Sequence, residues 1–338
     1  MLVSTSMSQP SILVIGCGSI GERHLRCFLN TGRCRAAVCD TNGRLVAEVA
    51  GRYGVPGFES LEAAQEAFPA DGWVVCTPAH THLALALRGL ARGVHQLIEK
   101  PLATGLEQVE ETRAAIASSG CHVAVAYVFH AMPWLRAMRE VILSGELGSP
   151  RHATLTAGQH FPTFRPAYRE IYYARHESGG GAIQDALTHS VNAMEWLIGP
   201  ATRVYCDAAH QVLEGVGVED TVNVCARHGD VLASFGYNQF QAPNELEIRV
   251  HCERGSVAMQ LHEQRWGMMR FGEKEWTWQR HPKPIERDDF FTWQAESFLE
   301  GMAGRPCFLA TFEEGVQTLK FNLAALESAR SGQPVAIS

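Results

Sequence analysis

The run SILVIGCGSIGERH, which begins at Ser11, narrows the fold more than any other stretch of the chain. The apolar residues Ile12 to Ile15 read as a buried strand, and a helix-like segment begins a few residues later. Between the two, Gly16, Gly18 and Gly21 stand at G-x-G-x-x-G spacing. The first glycine permits a tight turn, the second lets the backbone approach a pyrophosphate, and the third lets the helix pack closely on the strand. Free N–H groups at the helix start then face the anion. The pattern predicts a dinucleotide-binding βαβ unit with Gly16, Cys17, Gly18, Ser19, Ile20 and Gly21 around the phosphates. The next apolar run ends in Asp40, nineteen residues past Gly21, where a carboxylate flanked by Thr41 can accept hydrogen bonds from an adenosine ribose. A 2'-phosphate would meet that charge, so NAD is favoured over NADP; Arg44 is the nearby cation that argues the other way.

Short apolar runs continue to alternate with amphipathic ones as far as residue 128. RAAVCD, GWVVCTP, HQLIEKP and CHVAVAYV read as further strands, separated by helix-like segments such as HTHLALALRGLARG. Near-continuous apolar strands joined by helices indicate a parallel sheet covered on both faces. Beyond about residue 150 the strands alternate instead: Leu246, Ile248 and Val250 face one way, Glu245, Glu247 and Arg249 the other, and His228-Gly229-Asp230 reads as a hairpin turn. With 338 residues, two domains are expected: a Rossmann domain over 1–128, and an α+β domain over 129–338 with an open, mainly antiparallel sheet. Two late helices, over 288–303 and 312–331, close the chain.

Charge and cysteine usage exclude other classes of partner. A net charge of -7, with no basic stripe, argues against nucleic acid. No apolar run reaches membrane-spanning length, and MLVSTSMSQP lacks the pattern of a secretory leader, so a cytoplasmic location is expected. The ten cysteines contain no Cys-x-x-Cys, and several, including Cys225, sit in apolar runs as small hydrophobes; the fifteen histidines are dispersed, and no metal site is expected.

Parallel strands present their C-terminal ends to one crevice. CTPAHTH and EKP both fall at such ends, which places Cys76, Thr77, Pro78, His82 and Glu99 near the nucleotide and Lys100 at the mouth of the sheet. The stretch GGGAIQDALTHS adds Asp185 and His189 one helical turn apart. If 182–198 is a single α-helix stopped by Gly199-Pro200, Asp185, His189, Asn192 and Trp196 share one stripe. Ile183, Leu187, Val191, Met194 and Ile198 form the core side, while Gln184, Thr188 and Glu195 form a solvated one. Glycines 179 to 181 would let a ligand approach the helix start.

Taken in order, GCGSIGERH, Asp40, CTPAHTH, EKPLA and GGGAIQDALTH resemble the Gfo/Idh/MocA family of glucose-fructose oxidoreductases and inositol dehydrogenases. The resemblance implies a Rossmann domain joined to an α+β domain, NAD(P)-linked oxidation or reduction of a carbinol in a sugar, cyclitol or related polyol, and a cis bond before Pro101. It implies that Lys100, Asp185 and His189 are catalytic, and that Tyr127, Arg165, Tyr168, Arg169 and Tyr172 contact substrate alongside them. His189 would take the hydroxyl proton while Lys100 stabilises the oxygen, or the two would exchange roles. Two positions depart from the family pattern: Ala79, where Asn is common, and His130, near a frequent Arg. Rival readings on the same fold are a redox glycosidase and a nucleotide-sensing regulator without turnover. A one-sided sheet would also suit a homodimer or homotetramer.

Overall fold

The computed structural model describes residues 9–170 and 172–338. The segment on which the expectation of no leader rests falls largely outside them. Six strands, β1 (Ser11–Ile15), β2 (Arg35–Cys39), β3 (Gly57–Phe58), β4 (Gly72–Val75), β5 (His95–Ile98) and β6 (Val123–Val125), are parallel in the order β3-β2-β1-β4-β5-β6. Helices α1 (Ser19–Asn30), α2 (Gly43–Tyr53), α3 (Leu61–Ala67), α4 (His82–Leu90) and α5 (Val109–Ser119) connect them. Every residue of β1 is buried, as its unbroken apolar run required. The sheet reverses direction of growth at β1, and that switch point fixes the crevice. Its register is specific: Ile15 pairs with Cys39 on one side and Val75 on the other, and Val75 pairs with Ile98. Asp40, Gly16, Cys76 and Glu99 therefore leave the sheet at one level.

The rest of the chain comprises α6 (Pro133–Ser144), β7 (Pro150–Gly158), α7 (Phe161–Phe164), a π-helical turn (Ala182–Leu187) that runs into α8 (Thr188–Ile198), and strands β8 (Arg203–Ala209), β9 (Thr221–His228), β10 (Val231–Asn238), β11 (Glu245–Cys252), β12 (Gly255–Gln260), β13 (Arg265–Arg270) and β14 (Thr277–Arg280). After them come α9 (Arg287–Met302), β15 (Ala310–Thr311), α10 (Phe312–Ser331) and β16 (Val335–Ala336). The second sheet has the order β14-β13-β12-β11-β7-β10-β9-β8-β16 and is antiparallel except between β7 and β10. His228 pairs with Val231 across the expected turn, where Gly229 takes a left-handed conformation (φ 60°). Val222, Val224, Phe235, Ile248 and Val250 pack inward against Met138, Val191, Met194 and Phe321 of α6, α8 and α10. Alternation puts Cys225 on the opposite, exposed face, so it is not the buried hydrophobe its apolar neighbours implied.

Two elements return to the first sheet from beyond residue 128. Ala295, Phe298 and Leu299 of α9 share a core with Leu25 and Phe28 of α1, and β15 pairs antiparallel with β6. The α9–α1 packing brings the start of α9 to the rim of the nucleotide crevice.

Candidate active site

A cavity of about 1510 Å³ lies between the C-terminal ends of the first sheet and one end of the second. Gly16, Gly18, Ser19, Ile20, Asp40, Thr41, Cys76, Thr77 and Pro78 line one half. The glycines differ in what they do. Gly16 has φ 102°, and a Cβ there would sit 2.6 Å from the Cys76 carbonyl oxygen; at Gly21 a Cβ would sit 1.8 Å from the Gly16 oxygen. Both are demanded by the protein's own packing. A Cβ on Gly18, which precedes α1, would meet nothing within 4 Å. That backbone stands open to the cavity, as close approach of a pyrophosphate requires. Asp40 accepts from the Cys17 N–H at 2.7 Å and the Asn42 N–H at 2.8 Å, one on each oxygen, and keeps lone pairs for a ribose. Arg44 does not line the cavity. These features fit NAD.

Cys17, Gly21 and His82, expected as cofactor contacts, lie behind the lining. Cys17 is buried, and burial followed by the Asp40 charge pushes its thiol up to about 12. His82 ties two loops together: Nε2 is 2.7 Å from the Thr77 carbonyl and Nδ1 is 3.1 Å from that of Pro101. Burial holds its pKa below the usual imidazole value.

The other half gathers Lys100, Asp185, His189 and Tyr172. Glu99 anchors the Lys100 loop, accepting from the Lys100 N–H at 2.9 Å and lying 2.6 Å from buried His24 Nε2; the Lys100–Pro101 bond is cis. Lys100 Nζ donates to the Asp185 carbonyl at 2.7 Å and to Oδ1 at 2.9 Å, and the Tyr172 hydroxyl donates to the same Oδ1 at 2.8 Å. Burial pushes the Asp185 carboxyl up, but Lys100 and Tyr172 together hold it below the usual carboxylate range. Burial and then Asp185 raise the Tyr172 phenol well above its ordinary value, although the residue as a whole is 45% exposed. His189 stacks on Phe129 with ring centres 5.2 Å apart, and its Nδ1 is sealed without a partner, which leaves Nε2 facing the cavity. Burial first, then the Lys100 charge, pull its pKa down to about 3.

Several expectations for this half are corrected. Residues 182–187 form a π-helical turn, not α-helix, so a uniform 100° per residue fails where Asp185 sits. Asn192 and Trp196 turn away from the cavity: Asn192 donates to Thr318 Oγ1, and Trp196 stacks on His130 with ring centres 4.2 Å apart. Gln184, Thr188 and Glu195 are buried, not solvated, and α8 is enclosed on all sides. Glycines 180 and 181 make room for protein rather than ligand, since a Cβ would sit 2.1 Å from the Tyr173 oxygen or 2.6 Å from Glu219. Tyr127 lies under His189 with its hydroxyl 3.2 Å from Thr188 Oγ1 and does not reach the cavity. Tyr168 and Arg169 both donate to the Glu214 carbonyl, each at 2.7 Å, and also stand outside it. His130 is buried beside Trp196 and has no access to a substrate there. Arg165 does line the cavity, as does Arg287 at the start of α9, which no local signal in the sequence singled out.

Comparison with known proteins identifies the family and the fold. Residues 11–127 match the family described as "Oxidoreductase family, NAD-binding Rossmann fold", and residues 135–258 match "GFO/IDH/MocA C-terminal domain". An inositol 2-dehydrogenase of Rhizobium meliloti is 23% identical over 90% of this chain and 89% of its own. A 1,5-anhydro-D-fructose reductase of Ensifer adhaerens is 26% identical over 79% of this chain and 80% of its own. Among solved structures, levoglucosan dehydrogenase with NADH and levoglucosan superposes with a TM-score of 0.87 at 19% identity, over 97% of this chain and 99% of that one. The WlbA dehydrogenase of Bordetella pertussis, in complex with NADH and UDP-GlcNAcA, superposes with a TM-score of 0.82 at 24% identity, over 98% of this chain and 99% of that one.

Proposed function

This chain belongs to the Gfo/Idh/MocA family of NAD-binding oxidoreductases, and we propose that it moves a hydride between the nicotinamide and a carbinol carbon of a sugar, cyclitol or sugar-derived polyol. One observation carries the reading. Lys100 spends two of its three N–H donors on Asp185 and keeps the third, without a protein partner among the described residues, at the mouth of the nucleotide crevice. Gly16, Gly18, Ser19, Ile20, Asp40, Thr41, Cys76, Thr77, Pro78 and Glu99 form the cofactor side. Bound NAD supplies the hydride acceptor.

The chain's own residues do the rest. Lys100 donates its remaining hydrogen to the substrate oxygen and stabilises the charge that develops there. Asp185, fixed by Lys100 and Tyr172, sets the direction of that donor. His189 Nε2 takes the hydroxyl proton as the carbon loses hydride and the C–O bond becomes a carbonyl. Neutral imidazole of low pKa suffices, because loss of hydride turns the hydroxyl into a far stronger acid. Ten unpaired thiols suit a reducing compartment, and this reading assigns the enzyme to the cytoplasm. The exposed face of the second sheet would join another copy in a homodimer or homotetramer.

The test is reduction of NAD followed by absorbance while inositols, aldoses, anhydrosugars and sugar acids are supplied. Turnover with at least one of them is expected. Tight NAD binding with no reduction across the panel would refute the reading.

A further inference from the structure

Two guanidinium groups that line the cavity have no carboxylate paired with them among the described residues. Three of its cations are compensated: Arg23 bonds Asp288 at 3.0 Å and lies over Phe291, Lys100 bonds Asp185, and Arg88 pairs with Glu62. Arg165 and Arg287 are not. Arg165 makes one side-chain hydrogen bond, to its neighbour's carbonyl at 3.0 Å, and Arg287 makes none; neither reaches a carboxylate within ion-pair distance among the described residues. Glu245, which also lines the cavity, lies beyond that distance from both. Burial first, then the charges of Arg23 and Arg165, pull the Arg287 pKa down to about 10 against the opposing charges of Asp288 and Asp185. Arg287 lines the cavity with Phe290 and Phe291 of α9, and its charge is felt by both Asp185 and His189. Arg165 comes from the same segment as Tyr172 and lines the cavity with it.

We infer that the substrate carries an anionic group, a carboxylate or a phosphate, received by Arg165 and Arg287 while its carbinol lies against Lys100 and His189. The inference rests on the dehydrogenase reading above and narrows its substrate class from polyols in general to acidic ones. A planar guanidinium suits either oxyanion, and an anion received by both would offset the repulsion between them. The pyrophosphate of NAD is the competing claimant for Arg287, and the experiment separates the two.

Calorimetric titration of the NADH-loaded protein uses three matched sets: glucose, glucuronate and glucose 6-phosphate; galactose and galacturonate; inositol and inositol monophosphate. In at least one set the charged member is expected to bind ten or more times tighter than the neutral one, and which charged member wins identifies the group. In Arg165→Met and Arg287→Met that ratio falls toward one while the NADH Kd stays within about threefold, and Arg287→Lys restores part of the ratio. Because the ratio is measured first on the unaltered protein, a variant that fails to fold does not decide the matter. Equal binding of charged and neutral members in every set would overturn the inference, as would an Arg287→Met protein that loses NADH affinity tenfold but keeps the ratio. Charge-selective binding without turnover of any member would leave the inference standing and sink the dehydrogenase reading; turnover with a neutral preference would do the reverse.

Discussion

Gly18→Ala and Gly21→Ala place the same methyl group at the start of α1, one at its N-cap and one in its first turn, yet should fail in opposite ways. At Gly21 the new carbon lies 1.8 Å from the Gly16 oxygen and 2.9 Å from its carbon. Relief needs a retreat of more than 1 Å, and Gly16 is pinned by its N–H on the Cys39 carbonyl at 2.7 Å and by the Cys76 carbonyl on its other side. Overpacking of this kind costs about 1–3 kcal/mol, offset by up to ~1 kcal/mol of helix propensity. Melting should fall by several degrees with or without cofactor, at roughly 2–4 °C per kcal/mol. At Gly18 the backbone (φ −65°, ψ 178°) suits alanine and the methyl meets nothing, so melting of the free protein should move by no more than about 1 kcal/mol. The methyl would project where the pyrophosphate must come close, and the NADH Kd should rise at least tenfold, about 1.4 kcal/mol. Scanning calorimetry and NADH fluorescence titration measure the two quantities. A Gly18→Ala protein that binds NADH normally, or a Gly21→Ala protein that melts normally, would refute the division of labour among the glycines.

Three further outcomes follow from the site and its surroundings. Burial, only partly opposed by Gln317, Thr318 and the Ala201 N–H, pushes Glu195 up to about 7, so between pH 4.5 and 7 the unfolded chain releases a proton that the fold retains, and stability falls as pH rises. Glu195→Gln should remove that loss and raise stability at pH 8 by on the order of 2 kcal/mol; an unchanged melting curve would contradict it. His189, with its pKa at about 3 in the fold, should show ring NMR shifts that stay constant from pH 8 to 5, whereas a midpoint near 6.5 would show that Lys100 and burial do not act on it as described. Tyr172→Phe removes one charge-assisted hydrogen bond to Asp185 Oδ1, worth about 1.5–3 kcal/mol, and should lower kcat roughly tenfold with NADH affinity unaltered; equal loss in both would mean that Tyr172 serves the cofactor instead.

The nucleotide half was legible because its determinants are local. An apolar run, three glycines and an acid at the next strand end specify their neighbours within thirty or so residues, and the sheet register then aligns Gly16, Asp40, Cys76 and Glu99. Lys100, Asp185 and His189 were legible as residue types at strand and helix ends. Their surroundings were not. The π-helical turn changes the angle per residue without a distinguishing composition. Thr188 and Glu195 look solvated until Asn322, Gln317 and Thr318 arrive from α10, more than a hundred residues on, to satisfy them. Tyr168 resembles a ligand contact in sequence, but its hydroxyl is taken by a carbonyl at Glu214. Arg287 owes its position to α9 packing on α1, a contact that no periodicity reports.

The central claim is that Lys100 acts on the reacting oxygen and is not merely a loop anchor. Lys100→Met, supplied with saturating NAD and whichever polyol the native enzyme turns over, tests it by single-turnover absorbance, with NADH affinity measured separately. The account predicts a fall of about a thousandfold or more in the hydride-transfer rate, near 4 kcal/mol, with the NADH Kd within about threefold of native. Hydride transfer at close to the native rate would contradict it.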